Sequence, residues 1–130
     1  MALSEFSLIE RYFAHATARR SDVLLGVGDD CAILRVPAGR RLAVTMDTLV
    51  EGVHFLPQVS PRTLGHKALA VNLSDLAAMG AEPAWVTLAL TLPRAEEAWL
   101  AEFARGFSAL AGRFGVELVG GDTTHGPLSI

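Results

Sequence analysis

With 130 residues, 51% of them hydrophobic and only 19% charged, the chain is one domain at most and has enough apolar residues for a real core. A net charge of −3, with 11 Lys and Arg spread along the chain, leaves no electrostatic footprint for nucleic acid or an anionic membrane. The single cysteine, Cys31, excludes an internal disulfide and fits a reducing, cytoplasmic setting.

Taken in chain order, the N-terminus carries Glu5, Glu10 and Arg11 and lacks the apolar stretch of a signal peptide. Phe6, Ile9, Tyr12, Phe13 and Ala16 recur at helical spacing, with Ser7 and Glu10 as a capping box. Val23 to Val27 reads as a short strand. Ala32 to Val36 and Leu42 to Met46 read as two more, joined by a hairpin turn at Pro37-Ala38-Gly39-Arg40. Ser60-Pro61 caps and opens a long helix that ends at Gly80, ahead of Pro83. Trp85 to Leu92 is strand-sized, and no run is long enough to span a membrane. After Pro93 a helix carries the stripe Trp99, Phe103, Phe107, Leu110 and Phe114, closed by Gly115. Val116 to Val119 is a strand running into a small-residue turn, Gly120-Gly121-Asp122. The order predicts an α+β fold: a mixed sheet with helices packed on one face. Pro127 to Ile130 begins a further strand, so the sequence stops inside an apolar segment, which points to a longer parent polypeptide.

Aspartates recur where apolar segments end: Asp29 and Asp30, Asp47, and Asp122. A lone Asp at a strand end is more often a turn former. As a set they stand out, because each adjoins a glycine or a threonine. Asp75 shares a helix stripe with Leu64, Ala68 and Val71, which predicts a carboxylate among core residues, paired with Lys67 or bound to a cation. Bringing such acids together requires positive charge, since two like charges ~4 Å apart cost about 4 kcal/mol at an effective dielectric of about 20. Placed cations are too few, which favours Mg²⁺, a hard ion that joins carboxylates to phosphates. No His/Cys spacing points to zinc. There is no G-x-x-x-x-G-K-[ST] motif, so Gly120 to Thr124 is the best candidate for a phosphate turn. Cys31 reads as a packing residue, and His15, His66 and His125 as surface.

Four blocks then occur in a telling order: Val27 to Ala32 (VGDDCA), Asp47 to Phe55 (DTLVEGVHF), Lys67 to Ala81 (KALAVNLSDLAAMGA) and Gly120 to Thr124 (GGDTT). Together they resemble the thiamine-monophosphate kinase family, within the superfamily of aminoimidazole ribonucleotide synthase and selenophosphate synthetase. The resemblance covers essentially the whole chain. It implies that residues 1–130 form an N-terminal domain that binds ATP and Mg²⁺ and pairs into a homodimer, followed in the parent protein by a second domain. It implies transfer of the γ-phosphoryl group of ATP to thiamine monophosphate, with this chain inactive alone. Carried over by position, Asp30, Thr45, Met46, Asp47, Asp75 and Asp122 match metal-site residues, Gly121 and Asp122 the nucleotide-phosphate turn, and His54 a substrate contact. Met46 departs from the small hydroxyl residue of the family pattern, which leaves its carbonyl for that role. Two alternatives stay open. One is a related ATP-using enzyme, against which Asp47 to Phe55 and the lack of an N-terminal Cys argue. The other is a metal-binding dimerisation module without catalysis.

Overall fold

The computed structural model describes the backbone of residues 5–130 and the side chains of residues 7–130. The elements are α1 (Glu5–Tyr12), β1 (Val23–Leu25), β2 (Ile33–Leu34), α2 (Pro61–Ala78), β3 (Trp85–Leu92), α3 (Glu97–Phe114) and β4 (Glu117–His125).

Both long helices follow from their ends. The Ser60 hydroxyl accepts the Thr63 N–H, and Pro61 opens α2 with its φ already helical. Gly80, at φ 66°, turns the chain out of α2, and Gly115, at φ 64°, does the same for α3. Ser7 lies within α1 and not ahead of it, so it does not stand at the N-cap position expected for it. Phe6 falls outside the described side chains, and Leu8 of α1 and Phe13 just after it are buried.

The helices α2 and α3 meet through glycine. A Cβ on Gly65 would lie 2.1 Å from the Phe103 carbonyl oxygen, and one on Gly106 would lie 1.9 Å from the Arg62 carbonyl oxygen. These two positions let the backbones touch, and Leu64, Leu69, Phe103 and Phe107 fill the space around the crossing. Trp99, Phe103 and Phe107 stack along α3, with centroids 5.1 and 6.5 Å apart. The stripe fades at its end, where Phe114 is 46% exposed.

The expected mixed sheet takes the form of two small ladders. β1 pairs with β2 antiparallel, and β3 pairs with β4 parallel. Leu90 and Leu92 of β3 enter the core, while Thr87 and Ala89 of the alternate face stay exposed, so one face is covered and the other open. The C-terminal segment extends the sheet: Ser129 exchanges hydrogen bonds with Thr91 on one side, and Ile130 with Leu49 on the other. Leu42 to Met46 departs from expectation. The turn before it forms, with Arg40 N–H bonded to Pro37 O at 3.1 Å and Gly39 at φ 79°, but the segment joins no ladder among the described residues. An extended segment becomes a strand only when a neighbour accepts its backbone groups, and β2 has already ended at Leu34. Val44 and Met46 are therefore left 81% and 86% exposed.

Candidate functional site

A cavity of about 280 Å³ lies between the loop after β1 and the middle of β4. Val27, Gly28, Asp29 and Asp30 form one wall, and Gly120, Gly121, Asp122 and Thr123 the other, over a floor that includes Phe13, Leu88 and Leu118. The structure thus brings Asp30, Gly121 and Asp122 to one place. The Asp29 carboxylate accepts the Asp30 N–H at 2.9 Å, so Asp29 shapes the turn that presents Asp30.

Gly120-Gly121-Asp122 is not a turn. All three residues continue β4, with Gly121 opposite Leu88 and Asp122 opposite Ala89. A Cβ on Gly121, at φ 148°, would stand 1.8 Å from the Leu88 carbonyl oxygen. The glycine is needed for close approach of the two strands, which leaves bare backbone along the cavity.

A second pair forms outside the residues that line the cavity. The Thr45 hydroxyl donates to the Asp75 carboxylate at 3.2 Å, fastening the extended 42–46 segment to the last turn of α2. Asp75 is exposed, contrary to the expectation of a buried carboxylate, because burial on α2 is confined to its first half, Leu64 to Leu69. Lys67 does not pair with it; its ammonium donates to the His54 carbonyl. A carboxylate in a C-terminal turn faces the negative end of the helix dipole, which favours a cation nearby. Asp47 is exposed, as is Met46. Among the described residues no three His, Cys, Asp or Glu stand close enough to hold a metal ion. Asp30 and Asp122 are oxygen donors that line the cavity, whereas Thr45, Met46, Asp47 and Asp75 are not among its lining residues; two carboxylates suit a hard ion whose remaining ligands are water and phosphate.

The His54 imidazole accepts the Val50 N–H through Nδ1 at 2.9 Å, closing the turn at Gly52 and leaving Nε2 as the free nitrogen. Cys31 is exposed and so is not the packing residue expected. His15, His66 and His125 are exposed as expected.

One cluster has no counterpart in the sequence reading. Arg20 grips Asp22 with two hydrogen bonds, Nε to Oδ1 at 3.0 Å and a terminal nitrogen to Oδ2 at 2.8 Å. The Trp85 indole N–H also donates to Asp22 Oδ1, at 3.0 Å. These bonds, the Arg20 one first, hold the Asp22 carboxyl down at about 2 against the opposing effect of burial, and Arg20 is raised in turn, chiefly by the same bond. Arg20 further donates its backbone N–H to buried Glu117 and a guanidinium N–H to Gly115 O at 2.8 Å. An Arg-x-Asp at a loop was the only available signal, and it is a common surface pattern.

Among the described residues no helix is long and apolar enough to cross a membrane. The chain is 58% identical over all 130 residues to the thiamine-monophosphate kinase of Escherichia coli K12, covering 40% of that protein. The solved thiamine-monophosphate kinase of Stenotrophomonas maltophilia K279a superposes with a TM-score of 0.84 and 56% identity, over 99% of this chain and 40% of that one. A structure of AaThiL complexed with AMPPCP and TMP matches with a TM-score of 0.61 and 36% identity, over 64% of this chain and 27% of that one. The chain therefore spans about 40% of the length of the curated relatives it matches. Residues 28–129, which include Asp30, Gly121 and Asp122 of the cavity, match the family described as AIR synthase related protein, N-terminal domain, and the chain belongs to that family.

Proposed function

We propose that this chain is the N-terminal, nucleotide-binding domain of a kinase that transfers the γ-phosphoryl group of ATP to thiamine monophosphate, yielding thiamine diphosphate. The observation that supports the reading is the cavity that Asp30, Gly121 and Asp122 line together. The relatives named above are thiamine-monophosphate kinases, and AMPPCP, the nucleotide in the AaThiL complex, is an ATP analogue that cannot transfer its terminal phosphoryl group.

Asp30, Asp47, Asp75 and Asp122 would hold Mg²⁺, with Thr45 and the Met46 carbonyl beside them. When bound, the ion would neutralise charge on the triphosphate. Phosphoryl transfer demands positioning and charge neutralisation more than covalent help, and the acids would serve the second by holding the ion. Gly121 would offer its backbone to the phosphates where it lines the cavity, and Asp29 holds the Asp30 N–H. His54, with its free Nε2, is assigned to thiamine monophosphate. A second domain of the parent protein would close the site against water. The exposed apolar segment Leu42 to Met46 supports a homodimer formed through this domain. A need for ATP supports a cytoplasmic setting.

Calorimetry on the full-length protein tests the reading. AMPPCP should bind with Mg²⁺ and bind at least about tenfold more weakly without it, since the acids then repel the phosphates. Asp75→Asn and Asp122→Asn should each abolish most of the Mg²⁺ dependence. Equal binding with and without Mg²⁺ would remove the metal from the site. Absence of binding in either condition would leave only a dimerisation module.

A further inference from the structure

We propose that Arg20 is a positioning residue for the nucleotide site: it ties the starts of β1, β3 and β4 together and so sets the separation of the Asp30 and Asp122 walls. The inference rests on the nucleotide reading above and names a residue that never touches the ligand. Asp22 stands immediately before β1, which leads into Gly28 to Asp30; Trp85 opens β3; and Glu117 opens β4, which leads into Gly121 and Asp122. Arg20 or its partner Asp22 contacts all three starts. The guanidinium holds Asp22 and Gly115 O, the Arg20 N–H holds Glu117, and Asp22 holds Trp85. The Asp22 carbonyl also accepts the Arg35 N–H at 2.8 Å, and the Thr17 hydroxyl oxygen accepts the Leu118 N–H at 2.8 Å.

The tie reaches toward the cavity itself. Glu117 is buried, and its Oε1 lies 3.8 Å from where a Cβ on Gly26 would be, so the carboxylate sits against the start of the Gly26-Val27-Gly28 turn. Within the described chain β1 and β4 belong to different ladders, and no strand pairing fixes one against the other. The Arg20 cluster supplies that link with directional, charge-assisted bonds. A guanidinium is required, because only its planar fork can hold both carboxylate oxygens and a carbonyl at once.

The test is Arg20→Met and Arg20→Lys in the full-length protein, read by hydrogen exchange and by AMPPCP affinity with Mg²⁺. Both variants should speed exchange in segments 26–31 and 120–124 while leaving α3 unchanged, and should weaken AMPPCP by about tenfold. Lysine should fail to rescue. Should Arg20→Met not fold, Trp85→Phe removes one bond to Asp22 and should show the same pattern in smaller measure. Unchanged exchange in the two segments, or exchange raised evenly across the chain, overturns the proposal. So does wild-type AMPPCP affinity in Arg20→Met. If the wild-type protein binds no nucleotide at all, the nucleotide reading fails, and the exchange pattern alone then decides whether the tie exists.

Discussion

Asp22 shows how one residue can serve structure while looking like a surface acid. Its carboxylate accepts three hydrogen bonds, two from Arg20 and one from Trp85, and its side chain is 20% exposed. Its value is about 2 in the folded chain against 3.8 when unfolded. A depressed acid stabilises the fold above its unfolded value and loses that stabilisation as pH falls through its folded value. The contribution should therefore be complete above pH 3.8 and gone below about 2. With partial exposure to solvent it is worth about 1 kcal/mol. Asp22→Asn should lower the denaturation midpoint at neutral pH and flatten the loss of stability between those limits. A variant whose midpoint follows the wild type through the whole acid range would show that Asp22 is unpaired in solution.

At the scale of elements, the crossing of α2 and α3 gives a sharp contrast among glycines. Gly65→Ala and Gly106→Ala each drive a Cβ into backbone of the facing helix, and each should cost about 3 kcal/mol. Gly112→Ala, on the same helix as Gly106 but with open space around it, should instead stabilise by about 0.5–1 kcal/mol through helix propensity. Chemical denaturation of the three variants checks this, and equal effects at Gly106 and Gly112 would mean that the helices do not touch there. Both helices were legible in the sequence because their caps are local: Ser60-Pro61, Gly80 and Gly115 act within a few residues. The glycines of the crossing were not, since what they avoid lies on another element. Gly120-Gly121 misled for the same reason. Two small residues after an apolar run read as a turn, while Gly121 answers the closeness of β3 and a Cβ on Gly120 would meet nothing. Leu42 to Met46 had the composition of a strand and lacked a partner within the described chain, which composition cannot report.

At the scale of the molecule, the acids were legible as a set and only partly as a geometry. Asp30, in the loop after β1, and Asp122, within β4, line one cavity, and Asp75 in the last turn of α2 meets Thr45. Asp75 is exposed, since the helix stripe that carries it is covered only along its first half. The Arg20 cluster escaped because its partners are spread from Asp22 to Glu117. The exposed Leu42 to Met46 segment leads to a prediction about assembly. This chain expressed alone should scatter light as twice its mass of 13.8 kDa across a dilution series, and Val44→Lys should shift it to the monomer. A wild-type chain that is monomeric at every concentration would remove this segment as an interface.

The central claim is most directly tested by turnover. The full-length protein, given ATP, Mg²⁺ and thiamine monophosphate, should form thiamine diphosphate and ADP in equal amounts. Asp122→Asn should lower kcat/KM by about a hundredfold or more, and His54→Ala should raise KM for thiamine monophosphate more than for ATP. Hydrolysis of ATP without thiamine diphosphate, or phosphorylation that survives Asp122→Asn, would contradict the account.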